Sequence, residues 1–293
     1  MKPRSLSLLI PSSVTIDASD LRSKTLKIGQ IARAASVFRV DRIVIYRDPD
    51  LDDSGMIERV LVYAETPQYL RKHLVPISDD LRYAGTIPPL RTPHHPASAK
   101  KAEVGDTRVG AVVRSSDAGS WVDVGYEQLA FLGASLKRGE RVNVRITSEK
   151  PVKAALVSRD EIAEYWGYSV TRSKSLEESL VHPASKVGEV SEVSEVSEVG
   201  REELRIATSR NGRPIDTDLL TEIKSKCEAR DVMIAMGAPH KGIFEIMNEE
   251  NDQRTEFDYV LNFIPDQGTG TVRVEEAVTS TLAILNVCFT EPH

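Results

Sequence analysis

Tyr259-Val-Leu-Asn-Phe-Ile-Pro-Asp-Gln-Gly-Thr-Gly-Thr-Val-Arg-Val-Glu-Glu-Ala-Val278 sets the terms for the whole chain. Its first part, Tyr259–Phe263, is an apolar run of strand length. The loop Ile264–Thr271 follows, with two glycines. Val272–Val287 then repeats apolar residues at helical spacing. Strand, loop, helix is the unit of a parallel α/β sheet. The same order recurs just upstream. Glu203–Ala207 reads as a strand, Thr208-Ser-Arg-Asn-Gly212 as a loop, and Ile215–Arg230 as a helix opened by Pro214 near its first turn. Val232–Met236 reads as a buried strand feeding the loop Gly237-Ala-Pro-His-Lys-Gly242. Open α/β sheets bind ligands at the carboxyl ends of their strands, so these three loops form the candidate site.

The loop Gln267-Gly-Thr-Gly-Thr271 is the strongest local signal. Glycines let backbone N–H groups approach a ligand, and a helix N-terminus favours a negative group. The Gly-Lys-Ser/Thr of a Walker A loop is absent, and so is the G-x-G-x-x-G of a dinucleotide turn. On the residues alone, an anion or cofactor loop and an ordinary βα turn both stay open. Glu275 and Glu276 fall in the first helical turn, where they offset the macrodipole.

The N-terminal part repeats the α/β order. Leu6–Ile10 is a strand ended by Pro11. A helix follows from Asp20, a plausible N-cap, with Leu21, Thr25, Ile28, Ile31, Ala32, Ala35 and Phe38 at spacings of three and four. Arg42–Tyr46 is a second strand, and Ile57–Leu74 a helix interrupted by Pro67. The character then changes. Pro88, Pro89, Pro93 and Pro96 exclude regular helix or central strand. After them come short β-like runs at Thr107–Arg114, Ser120–Val124, Arg141–Ile146 and Ala154–Val157, separated by turns that contain glycine. Strands at this density predict a small β-barrel inserted into the α/β part. The cluster Tyr165-Trp-Gly-Tyr168 is a packing element or an RNA stacking platform. Ser175–Leu180 is helical.

The chain has 293 residues, enough for two domains at roughly 100–200 residues each. Its net charge of −6 weighs against a nucleic-acid partner, but the charge is local. Residues 187–203 hold six glutamates and one arginine, a net of −5, which leaves −1 for everything else. Residues 1–47 carry nine Lys/Arg against three Asp, and residues 97–160 eleven Lys/Arg against eight Asp/Glu. The acidic tract repeats Glu-Val-Ser with a period of three, so a valine stripe could not hold one helical face. It is expected to be a surface loop, with a lid or partner-binding helix as the alternative. Cys227 and Cys288 lie in apolar-periodic stretches and read as buried free thiols rather than a disulfide framework or zinc site. No apolar run reaches the ~18–20 residues of a membrane span, and the first apolar run is short for a signal sequence. The expectation is a cytoplasmic protein with no membrane partner.

Three stretches carry a family resemblance: Lys27-IGQIARAASVFRVDRIVIY46, Ile234-AMGAPHKGI243 and Asn262-FIPDQGTGTVRVEEAV278. They are similar, in order, to the three motifs of the SPOUT superfamily of S-adenosylmethionine-dependent RNA methyltransferases. With RYAGTIPPLRTPHH, YWGYSV and TSRNG, they resemble the branch that carries an OB-like domain inserted in the SPOUT fold. The resemblance implies an α/β fold with a C-terminal trefoil knot, a rare exception to the threading rules, and a homodimer with its site near the dimer interface. It implies residues 1–90 and 161–293 as a discontinuous methyltransferase domain and 91–160 as the OB-like barrel.

S-adenosylmethionine would be held by Thr208, Gly212, Met236, Gly237, Gly242, Asn262, Ile264, Pro265, Gly268, Thr269, Gly270, Thr271 and Val272. Arg33 matches the first motif's arginine. It either pairs with a carboxylate or orients the RNA in the partner subunit's site. Thr271 and Arg273 stand where the ribose-methylating branch carries serine and asparagine, a departure that favours a base as acceptor. Arg273 contacts RNA or cofactor, or pairs with Glu276 at i,i+3. Glu276 is the candidate carboxylate, with helix capping as its other role. The branch implies N3 of uridine in large-subunit ribosomal RNA as the target. RNA would be gripped by Arg91, His94, His95, Arg114, Lys137, Arg138 and Arg141. A non-catalytic ribosome-assembly factor of the same fold is the alternative.

Overall fold

The structure, a computed structural model, describes residues 4–96, 101–181, 203–228, 230–247 and 256–289. The glutamate tract lies outside the described residues except at Glu203. The chain divides into two units, one of Met1–Leu61 with Tyr168–His293 and one of Val62–Gly167.

The first unit is built on strands whose near-continuous apolar character suits burial on both faces. β1 (Ser5–Pro11) is central, with Leu8, Leu9 and Ile10 fully buried. α1 (Leu21–Val37) starts where the Asp20 carboxylate accepts a hydrogen bond from Ser23 N at 2.8 Å. It ends at Phe38, followed by Arg39 in the left-handed region with φ 59°. β2 (Arg42–Tyr46) returns beside β1, and α2 (Ser54–Glu65) follows. Helix α2 stops before Pro67, the residue expected to interrupt it. The remainder is a 3-10 turn at Gln68–Leu70 and α3 (Arg71–Leu74), both in the second unit. Proline cannot donate to the preceding turn and clashes with it, which accounts for the break.

The second unit then contributes β3 (Thr107–Ser116), β4 (Gly119–Asp123), β5 (Ala130–Leu132), β6 (Arg141–Glu149) and β7 (Val152–Leu156). They close into a barrel in the order β3-β4-β5-β7-β6, with only β5 and β7 parallel. Val112, Val122, Ala130, Leu132, Val144, Ile146 and Ala154 fill its interior. Leu70, Val109, Ala111, Val157, Ile162 and Trp166 form a second cluster of the same unit. Trp166 donates to Asn143 Oδ1 at 2.8 Å, which makes it a packing residue here. Strand β5 is short enough that alternation alone did not reveal it.

The first unit resumes with β8 (Ser169–Ser173), α4 (Leu176–Val181), β9 (Glu203–Pro214), α5 (Thr217–Cys227), β10 (Asp231–Ala235), α6 (Ile243–Ile246), β11 (Tyr259–Asn262) and α7 (Val274–Phe289). Its six strands are all parallel, in the order β11-β9-β10-β1-β2-β8. The sheet edge β8 had no sequence signal beyond the end of the aromatic cluster. β9 corrects a second expectation. Residues 208–212 are not a loop but a continuation of the strand. Leu261 pairs with Arg213 and Asn262 with Pro214, across a register shift after Val260. The helix after it is correspondingly shorter than Ile215–Arg230, and Asp216 caps it by accepting from Leu219 N at 2.7 Å.

Helix α7 packs against α1 and α5. Between α1 and α7 two buried ions meet, Lys27 Nζ lying 3.1 Å from Glu275 Oε2, and the lysine also reaches the exposed Asp17 Oδ1 at 2.6 Å. Glu275 therefore answers a buried lysine as well as the helix dipole. Cys227 and Cys288 are both buried and free, as their apolar surroundings predicted. Burial pushes the Cys227 thiol up to about 12. Among the described residues no helix is long and apolar enough to cross a membrane.

Candidate functional site

Parallel strands put their carboxyl ends on one edge of a sheet. Here the ends of β9, β10 and β11 open into a cavity of about 440 Å³ in the first unit. Each wall is fixed by local hydrogen bonds. At the end of β10, Met236 N donates to Leu9 O at 3.0 Å, and Tyr46 donates its hydroxyl to Met236 O at 2.5 Å. Burial raises the Tyr46 pKa well above its ordinary value, so the hydroxyl stays a donor. Thr208 Oγ1 donates to Ala235 O at 3.1 Å and ties β9 to the same place. In the loop after β10, Ala238 N donates to Lys241 O at 2.9 Å. A Cβ on Gly237 would lie 3.0 Å from that carbonyl, so glycine is what lets the loop close so tightly. Lys241 reaches Asp50 at 2.6 Å, and Glu245 accepts from Gly242 N at 3.1 Å.

The third wall hangs on Asn262. Its amide donates to Arg210 O and its carbonyl accepts from Ile264 N, each at 2.9 Å. Gln267 donates to Thr269 O at 2.9 Å and to Gly270 O at 3.3 Å, which shapes the glycine loop from inside. Arg210 also approaches Gly270 O at 3.5 Å.

Of the residues expected from sequence, the cavity brings together Thr208, Met236, Gly237, Gly242, Asn262, Ile264, Gly270, Thr271 and Val272. Gly212, Pro265, Gly268 and Thr269 are not among its lining. Gly212 instead abuts β11, where a Cβ would lie 2.7 Å from Leu261 C. Arg210, Asn211 and Gln267, which belong to the expected loops, line it as well, and Glu245, Ala277 and Thr281 do so without having been singled out. Ala277 and Thr281 stand at i,i+4 on α7, so the helical spacing of Val272–Val287 held the signal for them.

The catalytic candidates lie outside that lining. Arg33 is exposed on α1, and Arg273 is exposed just before α7. Glu276 accepts from Arg273 N at 3.0 Å, a helix-start bond that occupies one carboxylate oxygen.

The seven residues assigned to RNA separate into two groups. Arg91, Arg114, Lys137 and Arg138 are exposed. His94, His95 and Arg141 are engaged with Glu65 in the second unit. Arg141 makes a two-pronged contact with the Glu65 carboxylate at 2.5 and 2.8 Å. His94, with no exposed side-chain surface, sits 3.0 Å from Glu65 Oε1, and His95 meets the Glu65 carbonyl at 2.5 Å. Burial pushes the Glu65 pKa up, but the Arg141 charge and its hydrogen bonds outweigh that and hold it below the ordinary value. Burial, with the neighbouring His94, lowers His95 to about 4. Glu65 and His94 are buried, His95 is half-buried and Arg141 reaches in from an exposed position, so the cluster holds an interior together and offers nothing outward from His94.

The cavity also fits a ligand on steric grounds. Gly242 and Gly270 both line it, neither has positive φ, and a Cβ on either would meet no atom within 4 Å. The fold itself does not require glycine at these two positions.

Residues 5–285 match a family described as "Putative RNA methyltransferase". An uncharacterized protein of Halobacterium salinarum is 36% identical over 301 residues, covering 96% of this chain and 98% of that protein. The 28S rRNA (uridine-N(3))-methyltransferases of Mus musculus and Homo sapiens are each 29% identical. They cover 99% and 97% of this chain and 78% of their own lengths. With a match that runs through both units, the chain belongs to this family of RNA methyltransferases.

Proposed function

We propose that this chain transfers a methyl group from S-adenosylmethionine to N3 of a uridine in large-subunit ribosomal RNA. The observation that carries the reading is the cavity at the ends of β9, β10 and β11, with two of its glycines open to a ligand, in a chain whose relatives include uridine-N3 methyltransferases. We read the α/β unit as a SPOUT domain with a trefoil knot in its C-terminal part, acting as a cytoplasmic homodimer, and the barrel as OB-like.

S-adenosylmethionine, when bound, supplies a methyl group already activated as an electrophile. The protein's task is then positioning and charge. Met236, Ile264 and Val272 offer apolar surface beside backbone polar groups, which suits an adenosine moiety. Gly237, Gly242 and Gly270 let the backbone come close. Arg210 lines the same cavity and provides positive charge, while the charge of Lys241 is met by Asp50. The uracil N3 must lose its proton, to the Glu276 carboxylate or to water, as the N–C bond forms, and cationic side chains would stabilise the negative charge on the deprotonated ring. Holding the acceptor nitrogen in line at about 3–3.5 Å removes a large part of the barrier by itself. Arg33 and Arg273 are the proposed RNA-orienting groups, with Arg33 serving the site of a second copy.

Two measurements test the reading. Calorimetry with S-adenosylmethionine is expected to give a one-site isotherm per chain, and its absence sinks the proposal. Mass-spectrometric mapping of ribosomal RNA from cells lacking the protein is expected to show one lost 3-methyluridine. An unchanged modification profile would leave the non-catalytic assembly factor as the better account.

A further inference from the structure

The outer face of the barrel carries a row of four side chains in strict cross-strand register. Arg114 on β3 pairs with Trp121 on β4, Trp121 with Phe131 on β5, and Phe131 with Lys153 on β7. Their neighbours on the last three strands point inward: Val122, Ala130, Leu132, Val152 and Ala154 belong to the barrel interior. Alternation therefore turns Trp121, Phe131 and Lys153 outward. Arg114 would point inward by the same rule, since Val112 two residues earlier is interior. A register shift between Val112 and Arg114 reverses it. Bulges of this kind re-aim a side chain, and here the bulge brings the arginine over the indole, 4.0 Å from the ring centroid.

The two rings are partly exposed and meet edge to face at 5.3 Å. Gly119, at φ +139°, lets the Phe131 ring lie against the backbone, where a Cβ would stand 2.8 Å from Cζ. A cation at each end of an exposed aromatic pair is an arrangement that matches one chemistry well. Bases stack on the rings, and phosphates on either side meet Arg114 and Lys153. A guanidinium seated over a ring keeps its edge N–H donors for a phosphate. Five-stranded barrels of this closed order are known to take oligonucleotides on the face of their second and third strands, which here are β4 and β5.

We propose that Arg114, Trp121, Phe131 and Lys153 form a stacking platform for unpaired RNA. The inference rests on the reading of the chain as an RNA methyltransferase and adds the conformation of its substrate: single-stranded at the barrel. The chain has only two tryptophans, and Trp166 is buried, so Trp121 can be watched alone. The full chain labelled with 5-fluorotryptophan is titrated with a single-stranded oligouridylate of about 12 nucleotides and with a blunt RNA duplex, followed by fluorine NMR.

The Trp121 resonance is expected to shift with the single strand while that of Trp166 stays. Trp121→Ala and Phe131→Ala are each expected to weaken binding roughly tenfold by fluorescence anisotropy, with an unchanged thermal melt. Trp121→Phe should restore most of the loss. Arg114→Ala and Lys153→Ala should each lower the slope of log affinity against log salt by about 0.7. RNA binding with a stationary Trp121 resonance would overturn the platform and leave the RNA reading standing. A duplex that shifts Trp121 as strongly as the single strand would overturn it too. So would a Trp121→Ala chain that changes its sedimentation, which would give the row to a second copy. Absence of binding to any RNA would overturn both readings together.

Discussion

Replacing Gly270 by valine separates a glycine kept for a ligand from one kept for the fold. Gly270 lines the cavity, has no positive φ, and offers open space where a Cβ would go. The Cβ of a valine there meets nothing in the protein within 4 Å, so stability should stay within about 0.5 kcal/mol of the parent. The same side chain occupies room that S-adenosylmethionine needs. Forcing extra methyl groups into a filled site costs about 1–3 kcal/mol, or roughly 5–150-fold in affinity. Gly212→Ala is the opposite case. Its Cβ would lie 2.7 Å from Leu261 C, 2.8 Å from Leu261 N and 2.8 Å from Val260 O, all backbone atoms of β11. Strand β9 must part from β11 to make room, so the loss should appear in folding, at about 1–3 kcal/mol. Urea denaturation of the full chain reads the first quantity and calorimetry with S-adenosylmethionine the second. A Gly270→Val chain that folds normally and binds with parental affinity would refute the assignment of this cavity to the methyl donor.

Three further outcomes follow from the buried polar groups and caps. Arg141→Ala leaves the buried Glu65 carboxylate with His94 as its remaining partner and, with Arg141 itself partly in solvent, should cost about 1–3 kcal/mol in urea denaturation; a loss below about 0.5 kcal/mol would mean that the pair is not a structural one. His95 is held neutral, its pKa lowered from 6.5 to about 4 by burial and by His94, so an unfolded chain takes up the proton first. Its contribution to stability is present above pH 6.5 and is lost as pH falls to 4, and His95→Asn should flatten the urea midpoint across that window. Asp216→Ala removes the cap on α5 and should cost about 1 kcal/mol in the same measurement, whereas a loss confined to cofactor binding would contradict its capping role.

The parallel sheet was legible because its strands are short apolar runs bounded by Pro11, Pro49 and the glycine loops. Those boundaries come from local backbone chemistry that the sequence displays directly. The loop Gly237–Gly242 and the turn into α7 were legible for the same reason. Residues 208–212 were not. Ser-Arg-Asn-Gly has the composition of a turn, yet the segment is strand because β11 lies beside it and its register shifts after Val260. That partner stands some fifty residues away in sequence. Strand identity here is decided by pairing and not by propensity. The cluster around Glu65 was hidden in the same way. Arg141 lies 76 residues from the carboxylate it neutralises, so its charge reads as surface until the fold brings the two together.

The same logic changes what the net charge says about RNA. Arg141, Arg108 and Lys27 count as positive charge in the sequence, yet each faces a carboxylate that cancels it: Glu65, Asp106 and the pair Asp17 and Glu275. Totals over a segment therefore overstate the charge available to a phosphate. What draws a polyanion is the exposed remainder, and on the barrel that remainder is arranged rather than scattered. Arg114 is outward because of a one-residue bulge, and Lys153 is outward because of alternation; they bracket two aromatic rings across adjacent strands. Exchanging the two residues, Val113→Arg with Arg114→Val, would keep every charge in the sequence and take the arginine out of its pairing with Trp121. If RNA affinity followed composition it would not change. If it follows arrangement, the salt slope should fall as it does for Arg114→Ala.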